Sequence, residues 1–311
     1  MNIVAQGRPA LGRLVPGRWL RVRPSIRWPQ PRMAAGLGIV GLVALMAVGA
    51  GWIRPGGPLA YSAAPLVAPN AAHWLGANDV GQDTLAQLLY GARVSLLVGL
   101  AAATLSTAIA WGLGLVSGLS RPADLLVSGA ADLMLALPLL PLVILIAAYL
   151  GAGLPIVIVT LGLVSWGPFA RIIRGLVQAE LRKPYVEAAR GVGATRVRVM
   201  LRHVAPATVP TAVAKFVMTV QYAVVAQASL GFLGLGDPSV TSWGDMVHRA
   251  AVSPLVFLDG SWLWRLLPPA IAIGLLVVGF ALIGWSLEER SLPGARRAGS
   301  RYPTATPRSS S

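Results

Sequence analysis

A phosphate-binding loop needs a lysine straight after a glycine. This chain has two lysines, Lys183 after Arg182 and Lys215 after Ala214, so it holds no such loop. It has no cysteine, which removes thiol nucleophiles, cysteine-ligated metals and disulfides. His73, His203 and His248 are scattered along the sequence and suggest no metal cluster. No Ser/His/Asp set shares a location, so hydrolytic chemistry is not expected. Two charges stand where charge is costly: Asp132 and Lys215, each about two turns inside an apolar run. A proton or substrate relay would use such groups. The simpler reading is an Asp132–Lys215 pair, or Asp132 with Arg171 and Lys215 reaching for the headgroups. Asp79 and Asp83 would serve a cation or, more simply, cap a short helix starting near Thr84.

A second group of residues is suited to contact rather than catalysis. "EAARGVGATRVRVMLRHVAP" runs from Glu187 to Pro206. Pro184 suits a first helical turn, and Glu187 follows where a carboxylate favours the positive helix end. Ala188 and Ala189 are small and helix-favouring. Gly191 and Gly193 weaken the helix and allow a bend, and Thr195 can cap a second helix. In that second helix Val197, Met200, Leu201 and Val204 are expected on one face and Arg198 and Arg202 on another, with Pro206 closing it. Two helices this short are not stable alone in water, so something must cover them. A lipid surface and a docked protein are both consistent with the pattern.

The elements that must hold these residues are apolar helices. Hydrophobic residues make up 55% of the 311 and charged residues 12%, and the apolar ones come in long blocks. About 20 residues of helix cross about 30 Å of hydrocarbon. Six spans are predicted: 34–53, 94–118, 125–150 with a kink at Pro138 and Pro141, 156–176, 209–230 and 266–287. The net charge of +15 is segregated, not spread as in a nucleic-acid binder. Seven arginines precede the first span, more cluster around 171–202, and others follow the last span. By the positive-inside bias both termini and the 179–206 loop face the cytoplasm. The organisation is thus a basic tail over 1–33, a first transmembrane helix over 34–53 and an extracytoplasmic loop over 54–92. A five-helix core follows over 93–287, then a cytoplasmic tail over 288–311. The basic tail would lie on anionic lipid. Trp243, Trp262, Trp264 and Trp285 read as interfacial belts.

Glu187-Ala188-Ala189, Gly193 and Pro206 at this spacing resemble the "EAA" loop of ABC-importer permeases. "LGANDVGQD", "LLYGARVSLLVGL", "DLMLALP", "SLGFLGLG" and "SWGDM" look like the second permease subunit of dipeptide/oligopeptide/nickel importers. The resemblance covers roughly 73–289. Gln82, Ala205, Gln227 and Lys215 depart from the family's usual Arg, Leu, Glu and neutral residue. The resemblance implies an all-α membrane protein with the type I importer permease fold. It implies a translocation subunit that is not itself an enzyme, in a bacterial or archaeal plasma membrane, carrying short peptides or a related small solute. It further implies a sister permease, two ATP-binding subunits that hold ATP and Mg, and an extracytoplasmic solute-binding protein. The chain itself would bind no cofactor, metal or nucleic acid. Glu187, Ala188, Ala189, Gly193 and Pro206 would couple it to the ATPase. An ion- or proton-coupled carrier acting alone is the alternative. A membrane-bound enzyme would need a clustered catalytic set, which the sequence lacks.

Overall fold

A computed structural model describes residues 31–151, 153–254 and 256–291. The basic tail expected over 1–33 therefore lies outside the described residues up to position 30, as does the C-terminal tail after position 291. The described chain is helical: α1 (Pro31–Ile53), α2 (Thr84–Ser117), α3 (Arg121–Ala136), α4 (Leu139–Leu150), α5 (Leu154–Val164) and α6 (Trp166–Leu181) come first. They are followed by α7 (Pro184–Gly191), α8 (Arg196–Val199), a π turn (Met200–Val204), α9 (Ala205–Phe232), α10 (Trp243–Ala251), α11 (Trp262–Arg265) and α12 (Leu267–Ser291). Five helical stretches are long and apolar enough to cross a membrane, and α3 with α4 makes a sixth if the bent pair counts as one span. This is the expected all-α class, with five to six candidate spans among the described residues.

Three boundaries differ from the sequence reading, each for a local reason. The third span is broken, not kinked: α3 and α4 meet at 84°. Leu137 is extended at φ −80 and ψ 128 because the ring of Pro138 disfavours a helical residue before it. The 54–92 loop is shorter than expected. Helix α2 starts at Thr84 and runs 34 residues without a break, so the short helix near Thr84 and the second span are one rod. Asp83 caps it, accepting the Ala86 N–H at 2.8 Å. Finally, Pro206 does not end a helix. The Ala205 N–H bonds back to the Met200 carbonyl, a five-residue step. Pro206 then falls in the first turn of α9, where a missing N–H is tolerated. From Arg196 to Phe232 the chain is one 37-residue stretch.

Helices α2 and α9 run side by side through the middle. Val43 of α1, Leu88 of α2, Val220 of α9, Trp243 of α10 and Leu276 of α12 form one buried cluster. Leu161, Val98, Val143 and Leu230 join α5, α2, α4 and α9 in another. Trp243 is fully buried, so it is no belt residue. Its Nε1 donates to the Leu88 carbonyl at 2.8 Å, which satisfies its polar end inside the protein. Trp285, by contrast, is 54% exposed on α12.

The outer loop is ordered by side-chain amides. Asn78 Nδ2 and Gln87 Nε2 both donate to Gln82 Oε1, at 2.9 and 2.7 Å. Gln82 is thus buried and neutral, with its amide oxygen shared by two donors. Asp79 is no helix cap: it accepts from the buried Arg265 at 3.1 Å and ties this loop to α11. On the same side, hydrogen bonds from Ser239 and from the Leu154 backbone hold the Asp237 carboxyl below the ordinary carboxylate range.

Candidate functional site

Helix α7 starts on Pro184 and ends in a defined cap. The Gly193 N–H bonds to the Arg190 carbonyl at 2.9 Å and the Ala194 N–H to the Ala189 carbonyl at 3.0 Å. This is a Schellman pair with Gly193 at φ +86, in the left-handed region that a side chain disfavours. Ala194 and Ala189 both pack against the same buried cluster. Thr195 then caps α8 by accepting the Arg198 N–H at 3.3 Å. The bend expected from Gly191 and Gly193 is thus carried by Gly193 alone, since Gly191 is still helical.

One face of this elbow is anchored. Val186, Val199 and Val204 are fully buried against Leu115 of α2 and Ile173 and Val177 of α6. Arg196 donates to the Leu119 carbonyl at 3.2 Å, which fixes the elbow to the α2–α3 turn. The other face is open. Glu187, Ala188, Arg190, Arg198 and Arg202 are exposed. Val192 is 86% exposed, Leu201 64% and Val197 54%. The face expected to hold Val197, Met200, Leu201 and Val204 is therefore split. The five-residue step of the π turn shifts the register, so Val199, Met200 and Val204 are buried while Val197 and Leu201 point out. Tyr185 donates to Glu180 Oε2 at 2.7 Å, and burial together with that bond pushes its phenol up to about 12. Such an open apolar and charged face can bind a protein surface.

The intramembrane charges pair differently from one expectation. Asp132 on α3 meets Arg171 on α6, and Lys215 on α9 meets Glu288 on α12 at 2.9 Å. No Asp132–Lys215 pair forms, because α3 packs on α6 while α9 packs on α12. Lys215 is held by Glu288 instead, and its side chain is 11% exposed. Its partner was hidden in sequence because Glu288 follows the last apolar run. Lys215→Met is expected to cost about 1–2 kcal/mol, discounted for the 40% exposure of Glu288, while Lys215→Met with Glu288→Leu recovers most of it. Thermal unfolding of the four proteins of that cycle checks this.

Beside α9 lies a cavity of about 540 Å³ between the α3–α4 and α5–α6 breaks. Met134, Leu137, Phe169, Met218, Gln221 and Tyr222 are among its walls, and among the described residues no charged side chain lines it. Sequence spacing gave no sign of it, since it is made where helices stop. Among the described residues no three acidic or histidine side chains gather as a metal site.

The profile of a family described as the binding-protein-dependent transport system inner membrane component matches residues 108–291. A putative peptide permease protein of Brucella ovis is 34% identical over 73% of this chain and 75% of its own length. The glutathione transport system permease protein GsiD of Pectobacterium atrosepticum is 33% identical, over 71% of this chain and 72% of its own. The di/tripeptide transport system permease protein DppC of Pseudomonas aeruginosa is 32% identical, over 88% of this chain and 96% of its own.

Proposed function

The chain belongs to the binding-protein-dependent transport inner-membrane family, and from that premise we propose that it shares a translocation pathway for short peptides with a sister permease. It is a multi-pass membrane protein and the permease subunit of an ABC importer, a transport subunit and not an enzyme. The host membrane is the plasma membrane of a bacterium or archaeon, with the elbow on the cytoplasmic side as the arginine bias asks. Two partner ATPases bind ATP and Mg, and an extracytoplasmic binding protein delivers the solute. Similarity to relatives named for dipeptide, tripeptide and glutathione transport supports a short peptide or related molecule as cargo.

The observation that carries this reading is the continuity of elbow and pathway. The stretch from Arg196 to Phe232 begins at the elbow and carries Met218, Gln221 and Tyr222 to the cavity wall. Helix α6 runs from Phe169 at the cavity down to α7. An ATPase that grips the exposed elbow face would therefore move two cavity walls as rigid rods. ATP biases the switch only by binding the two arrangements differently.

The test is reconstitution. Liposomes holding this chain, its sister permease, both ATPases and the binding protein are expected to take up a labelled dipeptide with ATP. Liposomes holding this chain alone are expected to take up none. Uptake by the chain alone, driven by an ion gradient, would establish the secondary-carrier alternative instead.

A further inference from the structure

The open space between α3 and α6 does not end with the apolar cavity. Nearer the elbow a second cavity of about 250 Å³ follows, lined by Ser128, Ala131, Asp132, Arg171 and Arg174. The two cavities succeed one another along the same two helices. On α3, Met134 lines the first and Asp132 the second; on α6, Phe169 lines the first and Arg171 the second. A solute leaving the apolar cavity toward the elbow meets these charges next.

Charge pairs at this level are not alike. Arg174 forks onto Asp124 with two hydrogen bonds of 2.5 and 2.7 Å, and its side chain is 35% exposed and that of Asp124 20%. That pair is a fixed floor. Asp132 and Arg171 also pair, but their side chains are 60% and 58% exposed. Each can exchange its partner without leaving a buried charge uncompensated. The Ser128 hydroxyl beside them is buried and has no hydrogen-bond partner among the described residues.

We propose that this second cavity binds the two charged ends of a zwitterionic solute, Asp132 taking the ammonium and Arg171 the carboxylate. The proposal rests on the importer reading and names the substrate class for it. Without ligand the two side chains neutralise each other, so neither charge on the wall stands alone. With ligand, one ion pair becomes two, and the net charge is unchanged. A guanidinium fork matches a carboxylate in two hydrogen bonds, which an ammonium cannot do, so the polarity of the site is set. The adjoining apolar cavity receives uncharged side chains. Ammonium and anion also occur together in the headgroup of phosphatidylethanolamine, so the test separates the two sources.

The experiment uses the assembled importer without its binding protein, in nanodiscs of phosphatidylglycerol. Equilibrium binding of trialanine, N-acetyl-trialanine and trialanine amide is measured for the wild type, Asp132→Asn and Arg171→Gln. The wild type is expected to prefer the free peptide over either blocked form by about tenfold or more, the scale of one lost bond to a charged group. Asp132→Asn should erase the preference over the acetylated form and keep that over the amide. Arg171→Gln should do the reverse. Adding phosphatidylethanolamine to the nanodiscs should change none of this. The proposal is overturned if the wild type binds the three peptides alike or not at all. It is equally overturned if each variant weakens all three together, as a purely structural pair would, or if phosphatidylethanolamine displaces the peptide. Assembly is scored separately by co-purification with the ATPases. Failure there sinks the importer reading, whereas an assembled complex without the reciprocal pattern sinks only the zwitterion site.

Discussion

Glu187→Lys is expected to leave the protein in the membrane at near-normal abundance while cutting uptake per ATP hydrolysed by about tenfold or more, the scale of one lost charge-assisted contact. Glu187 is exposed in the first turn of α7, and its carboxylate makes no hydrogen bond or ion pair with the described residues. Its favourable position at the positive helix end is worth about 0.3–1 kcal/mol, too little to decide folding. Reversal adds a positive charge beside Arg182, Lys183 and Arg190, on the face proposed to meet the ATPase. Gly193→Val should act in the same direction by another route. A Cβ there meets nothing within 4 Å, so the effect is not a clash. At φ +86 a side chain costs about 1–2 kcal/mol, which reshapes the bend and re-aims α7. Uptake and ATP hydrolysis measured together in proteoliposomes check both variants. A wild-type ratio for Glu187→Lys and for Gly193→Val would refute the coupling role of this face.

Gly244→Val is expected to destabilise the protein by about 3 kcal/mol or more, enough to lose most folded material. A Cβ at Gly244 would collide with the Ala228 carbonyl oxygen and stand 2.8 Å from its Cα. Across the same contact, a Cβ on Gly231 would lie 2.9 Å from the Asp245 nitrogen. Every obstacle is backbone, so no rotamer change relieves it. Helix α10 would have to lift off α9, drawing out Trp243 and breaking its bond to the Leu88 carbonyl. Gly274→Ala on α12 is the control. Its Cβ meets nothing within 4 Å, and a helical Ala is about 0.5–1 kcal/mol better than Gly. Thermal unfolding in detergent should separate the two variants widely, and equal midpoints would contradict the backbone contact.

Much of this architecture could be read from periodicity and charge. The apolar runs placed the membrane helices, Asp83 marked a helix start, and the small-residue stretch after Glu187 marked an elbow bent at Gly191 and Gly193, of which Gly193 makes the turn. What failed did so where one local cue competed with another. Pro206 looks like a helix stop, but the five-residue step at Met200–Val204 lets the chain pass through it. That step also turned Val197 and Leu201 outward, which heptad-like spacing could not foresee. Trp243 looks interfacial because it is flanked by polar residues, yet its burial depends on Gly91 and Leu88, more than a hundred residues away. Which acid meets Lys215 is likewise a matter of helix neighbours, and a single sequence names residues without naming neighbours. Both cavities arise from helix breaks and pairings of this long-range kind.

The open face of the elbow is proposed to be a socket contact for an ATP-driven partner. The chain has no cysteine of its own, so one introduced at Val192 and labelled before assembly is the single reactive thiol on this subunit. In the complete assembly, a photo-crosslinker on that cysteine is expected to capture an ATPase subunit, with a yield that changes between nucleotide-free and ATP-bound states. Crosslinks to phospholipid alone, in an assembly shown to hydrolyse ATP and transport, would contradict the account.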